Sequence, residues 1–247
     1  MARDSQPQFE PILEALRRCD TASDPLLAFA RSYLRRFNEE WLSELGVDEA
    51  VAHVLNIYQL LEHRPPGSID VRAFNPTIDE HGYATNGAVV EVVIKDEPFL
   101  IDTVVNEFRD HQLLVDRLVH PVIGVERDGF GRLLGILPAR EAETRESVQH
   151  FELDQRLEKD QIETVQTHIR RVLEDNLLVT QDFDAMRQAV RGMAITVANS
   201  PAPVPGVGRE EIVALLEWLL DDNFVLLGYR EYEIDRSTKD PTIHANP

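Results

Sequence analysis

The sequence lacks the features that would mark a secreted or membrane-spanning protein. It has one cysteine in 247 residues, Cys19, which excludes an internal disulfide and fits a reducing compartment. No run approaches the roughly 18 apolar residues of a membrane span, and charged residues interrupt the beginning of the chain, where a signal peptide has its apolar core. We therefore expect a cytoplasmic protein without a membrane span.

Positive charge is also scarce. The chain has 25 lysines and arginines against 44 aspartates and glutamates, a net charge of −19, and the excess acid is spread along its whole length. A nucleic-acid binder needs clustered cations to displace counterions, and an anionic membrane surface attracts the same clusters. No such cluster occurs, so we expect neither nucleic acid nor a membrane as a partner.

Common catalytic and cofactor motifs are missing as well. No lysine stands in a glycine-rich setting, and neither a G-x-x-x-x-G-K-[ST] loop nor a G-x-S-x-G elbow occurs. No two histidines have metal-ligand spacing on a predicted helix, and one cysteine cannot build a structural zinc site. Gly129, Gly131 and Gly135 lie between two predicted strands, which favours a hairpin turn over a dinucleotide fingerprint. The sequence predicts no catalytic, cofactor or metal residue.

Apolar residues are plentiful, at 43% of the chain, and their spacing predicts helices first. Up to about residue 62 they recur at intervals of three and four, and Arg64-Pro65-Pro66-Gly67 ends the last helix. We predict an N-terminal helical segment over residues 1–66.

The pattern then changes to that of a sheet. The nearly continuous apolar run 88–94 predicts a buried central strand, and a helix, three strands and a second helix follow it. This order predicts an α+β module over residues 67–198, an antiparallel sheet with helices on one face, related to the ferredoxin-like plan. Pro121 lies in a long predicted strand, where we expect a bulge or an edge. His120 beside it is predicted to be packed or hydrogen-bonded rather than catalytic.

The end of the chain predicts a second module. Residues 199–208 (NSPAPVPGVG) have the composition of a Pro/Gly linker. Residues 209–247 predict one helix and a strand at 224–234, too little to form a core of their own. We expect 209–247 to be the beginning of a further α+β module, truncated here, and the chain to be the front of a longer protein.

Two groups of carboxylates are candidates for a binding site. Asp96 and Glu97 end the central strand, and Asp102 lies one turn into the next helix, where acids complement the helix dipole. The alternative at the same turn is a ligand site at the helix N-terminus. The glutamates of residues 141–146 lie among arginines and are predicted to belong to a solvated loop.

Three stretches resemble the N-terminal region of the large bacterial NAD-specific glutamate dehydrogenases. They cover residues 71–83, 89–133 and 215–234, and their order and spacing fit over most of 12–234. The matching features are Phe74-Asn75-Pro76, Pro98-Phe99-Leu100 with Asp102, Val119-His120-Pro121-Val122 and Leu226-Leu227-Gly228-Tyr229-Arg230.

The resemblance implies a role within a long, oligomeric enzyme. In that family the dehydrogenase domain, which uses NAD, lies far downstream of this segment. Residues 88–178 would form an ACT-like, amino-acid-sensing module, and 209–247 would open a PAS-like module. The segment itself would hold no cofactor. Its partners would be the downstream catalytic domain, further copies of the chain in a homo-oligomer, and an amino-acid effector.

The same resemblance implies where an effector would bind. In ligand-binding ACT domains the turn after the first strand usually has an acid, a variable residue, proline, glycine and an aliphatic residue. The corresponding residues here, with the one that follows, are Asp96, Glu97, Pro98, Phe99, Leu100 and Ile101. Phe99 stands where glycine lets a backbone approach a ligand, which puts binding in question. A regulatory segment of a glutamate dehydrogenase is therefore expected, with a purely architectural segment or a stand-alone amino-acid-binding protein as alternatives.

Overall fold

The structure, a computed structural model, describes residues 7–37, 39–200, 208–235 and 242–245. The helices are α1 (Glu10–Arg17), α2 (Asp24–Leu34), α3 (Glu39–Glu44), α4 (Val47–Glu62), α5 (Ile78–His81), α6 (Leu100–Asp110), α7 (Lys159–Gln181), α8 (Phe183–Asn199) and α9 (Arg209–Trp218). The strands are β1 (Asp70–Phe74), β2 (Val89–Lys95), β3 (Val115–Val119), β4 (Val122–Arg127), β5 (Leu133–Leu137), β6 (Arg145–Leu153), β7 (Tyr232–Asp235) and β8 (Thr242–Ala245). The chain divides into two compact units, residues 1–174 and 175–247.

The first unit is built on an antiparallel sheet in the order β1-β2-β6-β4-β5, with β3 also paired to β6. Strands β2 and β6 form the centre, from Val89 opposite Glu152 to Lys95 opposite Glu146. Helix α6 connects β2 to β3, and α7 follows β6, the last strand of this sheet along the chain. Strand β1, which precedes β2 in the chain, takes the edge beside it. The predicted α+β fold class is confirmed.

Proline interrupts the long strand that the sequence predicts over 115–126. Val119 pairs with His150 and Val122 with Ser147, so the register is the same on both sides of Pro121. The amide of Val148 still donates to the Pro121 carbonyl at 3.0 Å. The missing N–H of proline therefore splits the strand into β3 and β4 without shifting it, and the irregularity in register lies earlier, between Val115 and Arg117.

Helices cover the sheet on both faces. On one face Phe108 of α6 packs edge-on against Phe151 of β6, with ring centroids 5.2 Å apart. On the other face, apolar residues of α1, α2 and α4 form one buried core with Val93 and Val148 of the sheet. The sequence predicted the layer made by α6 and α7. The N-terminal helices, predicted as a segment of their own, form the second layer.

Local signals explain where several helices begin and end. The Ser23 side chain accepts a hydrogen bond from the Leu26 amide and caps α2, and Glu49 reaches back to the Gly46 amide at the start of α4. The C-terminal end of α5 is Gly82, with a φ of 75° that glycine adopts readily.

The second unit contains α8, α9, a π-helical turn at Leu219–Asn223 and the ribbon β7-β8. The strand predicted at 224–234 is mostly wrong: residues 224–231 are irregular, and only Tyr232–Asp235 pairs, with Thr242–Ala245. An apolar and aromatic run forms a strand only where another strand pairs with it, and within the described residues β7 pairs with β8 alone. Of the predicted linker 199–208, residues 201–207 lie outside the described residues. Within the described residues, no helix is long and apolar enough to cross a membrane.

Candidate functional site

The predicted effector turn, residues 96–101, connects β2 to α6. The Asp96 amide donates to the Arg145 carbonyl at 2.9 Å, and its carboxylate lies 3.5 Å from the Arg145 guanidinium. The Glu97 carboxylate pairs with Lys95 at 2.5 Å. No side chain caps α6, and of the three acids only Asp102 lies in its first turn. Asp96 and Glu97 therefore pair with cations of the neighbouring strands, and the dipole explanation holds only for Asp102.

Phe99 precedes α6 with an unusual backbone. Its φ of 67° and ψ of 4° place it in the left-handed region, which favours glycine. Its side chain is 48% exposed, whereas Leu100 after it is buried. The position where ACT domains usually have glycine thus keeps a glycine-like backbone but carries a phenyl ring.

A set of buried polar side chains, which the sequence did not reveal, lies between the N-terminal helices and the sheet. We call it the buried cluster; its members are Tyr33, His53, Glu91, His150 and Glu152. His150 and Glu152 are two residues apart on β6 and so point to the same face, and Glu91 of β2 is the cross-strand partner of His150. From α4, the His53 ring contacts the His150 ring at a tilt of 48°, with the two centroids 4.2 Å apart.

Hydrogen bonds orient both imidazoles of the buried cluster. The Tyr33 hydroxyl lies 3.1 Å from His53 Nδ1, and a Glu91 oxygen lies 3.1 Å from His150 Nδ1. The Nε2 atoms of the two rings lie 3.8 and 3.9 Å from Glu152 Oε1, too far for hydrogen bonds. Neither Nε2 atom has a hydrogen-bond partner among the described residues.

Burial and neighbouring charges set the protonation of the buried cluster. Burial and the adjacent imidazole of His150 lower the pKa of His53 to about 4, which keeps it neutral. Burial also opposes the charged form of His150, but the carboxylates of Glu152 and Glu91 raise its pKa. Burial alone would raise the pKa of Glu152, but the two imidazoles lower it to about 2. Burial thus favours the neutral form of His53, whereas the carboxylates of Glu152 and Glu91 favour the charged form of His150.

Glu91 has a second cationic partner. Arg72 of β1 contacts it at 2.5 Å and also donates to the Asn56 carbonyl of α4 at 2.7 Å. Together with His150, this guanidinium lowers the pKa of Glu91 against the effect of burial. The buried carboxylate of Glu91 therefore has a polar partner from each neighbouring strand, Arg72 from β1 and His150 from β6.

A cleft of about 590 Å³ gives access to the buried cluster. Among the residues that line it are His53, Tyr83, Glu152, Trp41 and Arg117. The Arg117 guanidinium lies over the Trp41 ring at 5.0 Å. The Tyr83 hydroxyl is buried and has no hydrogen-bond partner among the described residues. Two residues that line the cleft, His53 and Tyr83, therefore each hold a buried polar atom without a hydrogen-bond partner among the described residues.

A second group of possible ligands lies on the opposite, α6–α7 side of the sheet. We call it the surface triad: Glu107 on α6, His111, which directly follows the end of α6, and His168 on α7. Its donor atoms lie 3.0–3.3 Å from one another, close enough to share hydrogen bonds. The His168 side chain is half exposed, whereas that of Glu107 is mostly buried.

Sequence signals for the buried cluster existed but were weak. Glu91 interrupts the apolar run of β2, and a carboxylate in a buried strand must find a partner. The alternation in β6 places His150 and Glu152 on one face. Nothing local indicates that His53, on the apolar side of α4, completes the set.

Glu146 also differs from the prediction. It was assigned to a solvated loop, whereas it is buried in β6 and pairs with Arg64 at 2.6 Å and with Arg127 at 2.8 Å. The charged residues next to Glu146 in the sequence indicate an exposed side chain. The two arginines that pair with it, Arg64 and Arg127, come from other elements, so the local sequence does not reveal its burial. The prediction holds for Glu141 and Glu143, which are exposed.

Comparison with known proteins agrees with the resemblance. A family model described as "Glutamate dehydrogenase, ACT1 domain" matches residues 29–169, which include the effector turn and the whole buried cluster. The NAD-specific glutamate dehydrogenase of Halomonas elongata is 30% identical over 210 residues, which are 83% of this chain and 13% of that protein. The enzyme of Pseudomonas aeruginosa is 28% identical over 94% of this chain and 14% of its own length. The enzyme of Mycobacterium tuberculosis is 27% identical over 72% of this chain and 11% of its own length.

The chain therefore spans only 11–14% of the length of these relatives, and the match falls on their N-terminal ACT1 part. Since the family model covers more than half of the residues, this chain belongs to the glutamate dehydrogenase ACT1 domain family.

Proposed function

We propose that this chain is the non-catalytic, N-terminal regulatory and oligomerisation segment of a cytoplasmic NAD-dependent glutamate dehydrogenase. The whole enzyme would convert glutamate, water and NAD to 2-oxoglutarate, ammonium and NADH in a downstream domain. One observation carries the proposal: the ACT1 family model matches residues 29–169 of a chain that spans 11–14% of its dehydrogenase relatives. The rest of each relative leaves room for the catalytic domain.

Within this segment we assign the regulatory role to the ACT-like module of residues 67–198, which the helices of 1–66 cover. Residues 209–247 would begin the next, PAS-like module after the linker 199–208. A stand-alone amino-acid-binding protein is less well supported, because the relatives named above are dehydrogenases. A coding sequence that ends near Pro247 would contradict the assignment to a longer enzyme.

The effector would be an amino acid bound at the turn of residues 96–101. Its carboxylate would meet free N–H groups at the start of α6, since the first turn of a helix leaves such groups without partners. Asp96 would exchange its contact with Arg145, now 3.5 Å, for the ammonium group of the ligand. Phe99 would turn aside, and with 48% of its side chain exposed it can move without opening the core.

A thermal-shift screen of the twenty amino acids tests this assignment. A ligand that binds the folded state at 100 times its Kd stabilises it by about 2.7 kcal/mol, so the Tm should rise by about 5–10 °C. The rise should disappear in Asp96→Ala and persist in Glu97→Ala, the neighbouring acid that pairs with Lys95. A shift unchanged in Asp96→Ala would place the site elsewhere. A flat screen of the wild type would favour the architectural alternative, in which the segment makes subunit contacts only.

The non-catalytic assignment has its own test. The purified chain, given glutamate and NAD, should produce no NADH above the rate without protein. Turnover proportional to the amount of chain added would contradict it.

A further inference from the structure

We propose that His53, His150 and Glu152 of the buried cluster bind one divalent first-row transition metal ion, of the zinc class. This inference does not rest on the proposed function, because it uses different residues on the other face of the sheet from α6. It assigns a role to the buried Nε2 atoms of His53 and His150, which have no hydrogen-bond partner among the described residues.

The donor atoms already converge. His53 Nε2, His150 Nε2 and Glu152 Oε1 all lie within 4.8 Å of one another, and the carboxylate oxygen is 3.8 and 3.9 Å from the two nitrogens. Zinc binds imidazole nitrogen at about 2.0–2.1 Å and carboxylate oxygen at about 2.0–2.2 Å, so two ligands of one ion lie roughly 3–4 Å apart. Small movements of the three side chains would therefore bring their donor atoms to bonding distance from one ion.

The hydrogen bonds of the two imidazoles are those of metal ligands. In metal sites the ring nitrogen that does not bind the ion is held by a carboxylate, carbonyl or other polar group, which fixes the ring. Here Tyr33 holds Nδ1 of His53 and Glu91 holds Nδ1 of His150, both at 3.1 Å. Both Nε2 atoms are left facing Glu152, buried and without hydrogen bonds in the described residues. A buried nitrogen without a partner is costly, and an ion would satisfy both at once.

The donor set indicates the kind of ion. Two imidazoles and one carboxylate suit zinc, iron(II), cobalt or nickel, whereas calcium and magnesium prefer oxygen ligands. Three protein ligands leave a position for water or a small ligand, and the cleft lined by Tyr83 lies beside Glu152. Both imidazoles must be neutral to bind the ion, so binding would release any proton that they carry.

Such an ion would join two layers of the fold. His53 belongs to α4, and His150 and Glu152 belong to β6, so coordination would link the helical layer to the centre of the sheet. The three residues come together only in the folded protein. Binding should therefore raise the Tm as well as produce a metal spectrum.

The surface triad is the obvious competitor for added metal. Its donors are 3.0–3.3 Å apart and more accessible, so a titration of the wild-type chain alone would not separate the two sites. His168→Gln removes one ligand from the triad at a half-exposed position. It leaves the buried cluster unchanged and serves as the reference background.

The experiment titrates the full 247-residue chain, stripped with a chelator, with Zn²⁺ by calorimetry and with Co²⁺ by visible absorption. In the His168→Gln background we expect one ion per chain, a tetrahedral Co²⁺ spectrum, and a Tm higher by about 5–10 °C at 100 times the Kd of Zn²⁺. Adding Glu152→Gln, which keeps the side-chain shape, should abolish the spectrum and the Tm shift. The proposal is overturned if the His168→Gln chain binds neither ion, or if Glu152→Gln leaves binding unchanged.

Tyr33→Phe provides a second variant in case Glu152→Gln does not fold. It removes one hydroxyl that touches His53 and no ligand atom, and loss of such a supporting group typically lowers metal affinity about 10–100-fold. We expect that loss in the His168→Gln background with the far-ultraviolet circular dichroism of the chain unchanged. Equal Co²⁺ affinity with and without the Tyr33 hydroxyl would contradict the assigned ligand orientation.

Discussion

Phe99 adopts a backbone conformation that an L side chain strains. The left-handed region costs a non-glycine residue roughly 1–2 kcal/mol, whereas glycine populates it freely but loses about 0.5–1 kcal/mol more conformational entropy on folding. With φ at 67° and the ring half exposed, little packing offsets the strain. We therefore expect Phe99→Gly to stabilise the chain by about 0.5–1 kcal/mol.

Urea denaturation of the wild type, Phe99→Gly and Phe99→Ala measures this effect. The alanine variant loses the ring but keeps Cβ, so it should not be stabilised. If both variants lose stability equally, packing of the ring outweighs the backbone strain. The glycine variant also restores the residue usual in ACT domains, so the amino-acid screen should be repeated on it.

His120 makes stability depend on pH. Burial lowers its pKa below the usual value, and its Nε2 lies 2.8 Å from the Ser147 hydroxyl; the charges nearest to it are Asp96 and Arg36. The unfolded chain binds the proton more readily, so the stability contributed by neutral His120 is present above about pH 6.5 and lost as the pH falls through its lower folded pKa.

His120→Gln tests this dependence, because glutamine can keep the hydrogen bond to Ser147 but does not titrate. Between about pH 7 and pH 5 the wild type should lose stability relative to the variant. The other histidines titrate in both proteins, so their effects cancel in the difference. Parallel stability curves over this range would show that burial of His120 has no such consequence.

The β4–β5 hairpin depends on a close backbone contact at its turn. The Gly131 carbonyl accepts from the Arg64 amide at 2.9 Å and from Arg127 at 2.8 Å, which ties the turn to the segment after α4. Gly131 has a φ of 90°, and a Cβ there would lie 2.1 Å from the Arg64 carbonyl oxygen. Gly129 in the same turn has nothing within 4 Å of its Cβ position. The predicted hairpin is confirmed, but Gly135, predicted to lie between its strands, lies within β5. Of the two glycines in the turn, only Gly131 is required by sterics.

We expect Gly131→Ala to destabilise the chain by about 2–4 kcal/mol, because it adds a clash to a left-handed backbone. Gly129→Ala is the matched control and should change stability by less than about 0.5 kcal/mol. Thermal and urea unfolding of both variants measure the difference. Similar effects at the two positions would contradict the contact with Arg64.

Helices and strands could be predicted from the sequence where the spacing of apolar residues matches the burial seen in the fold. The apolar run at 88–94 is buried on both faces in β2, and the helical spacing before residue 62 corresponds to α1, α2 and α4. The strand predicted at 224–234 was mostly wrong because strand formation needs a partner, and in the described residues the pairing begins only at Tyr232. Periodicity shows which face of an element is apolar, but it does not show what covers that face.

The candidate sites, too, could be predicted only where their residues are close together in the sequence. The effector turn is a local motif, so a resemblance could place it. The buried cluster takes His53 from α4, Glu91 from β2 and His150 from β6, and the tertiary fold alone brings them together. The second layer of helices was likewise invisible from the sequence, since an amphipathic helix packs equally well on its own sheet or on a partner.

The outer edge of the sheet is a surface at which copies of the chain could pair. Among the described strands β5 pairs only with β4, and Leu134 on it is 57% exposed. An open edge strand offers unpaired backbone groups to another chain. The net charge of −19 opposes association, and salt screens it, since the Debye length is about 10 Å at 0.1 M and about 3 Å at 1 M.

We therefore predict that the chain self-associates through β5 and more strongly at high salt. Sedimentation over a range of concentrations should show a mass that rises with concentration and with added salt. Leu134→Lys places a charge on the edge and should weaken association, whereas Ile78→Lys, at an equally exposed position on α5, should leave it unchanged. A strict monomer at every salt concentration, or equal behaviour of the two lysine variants, would show that β5 is not the contact.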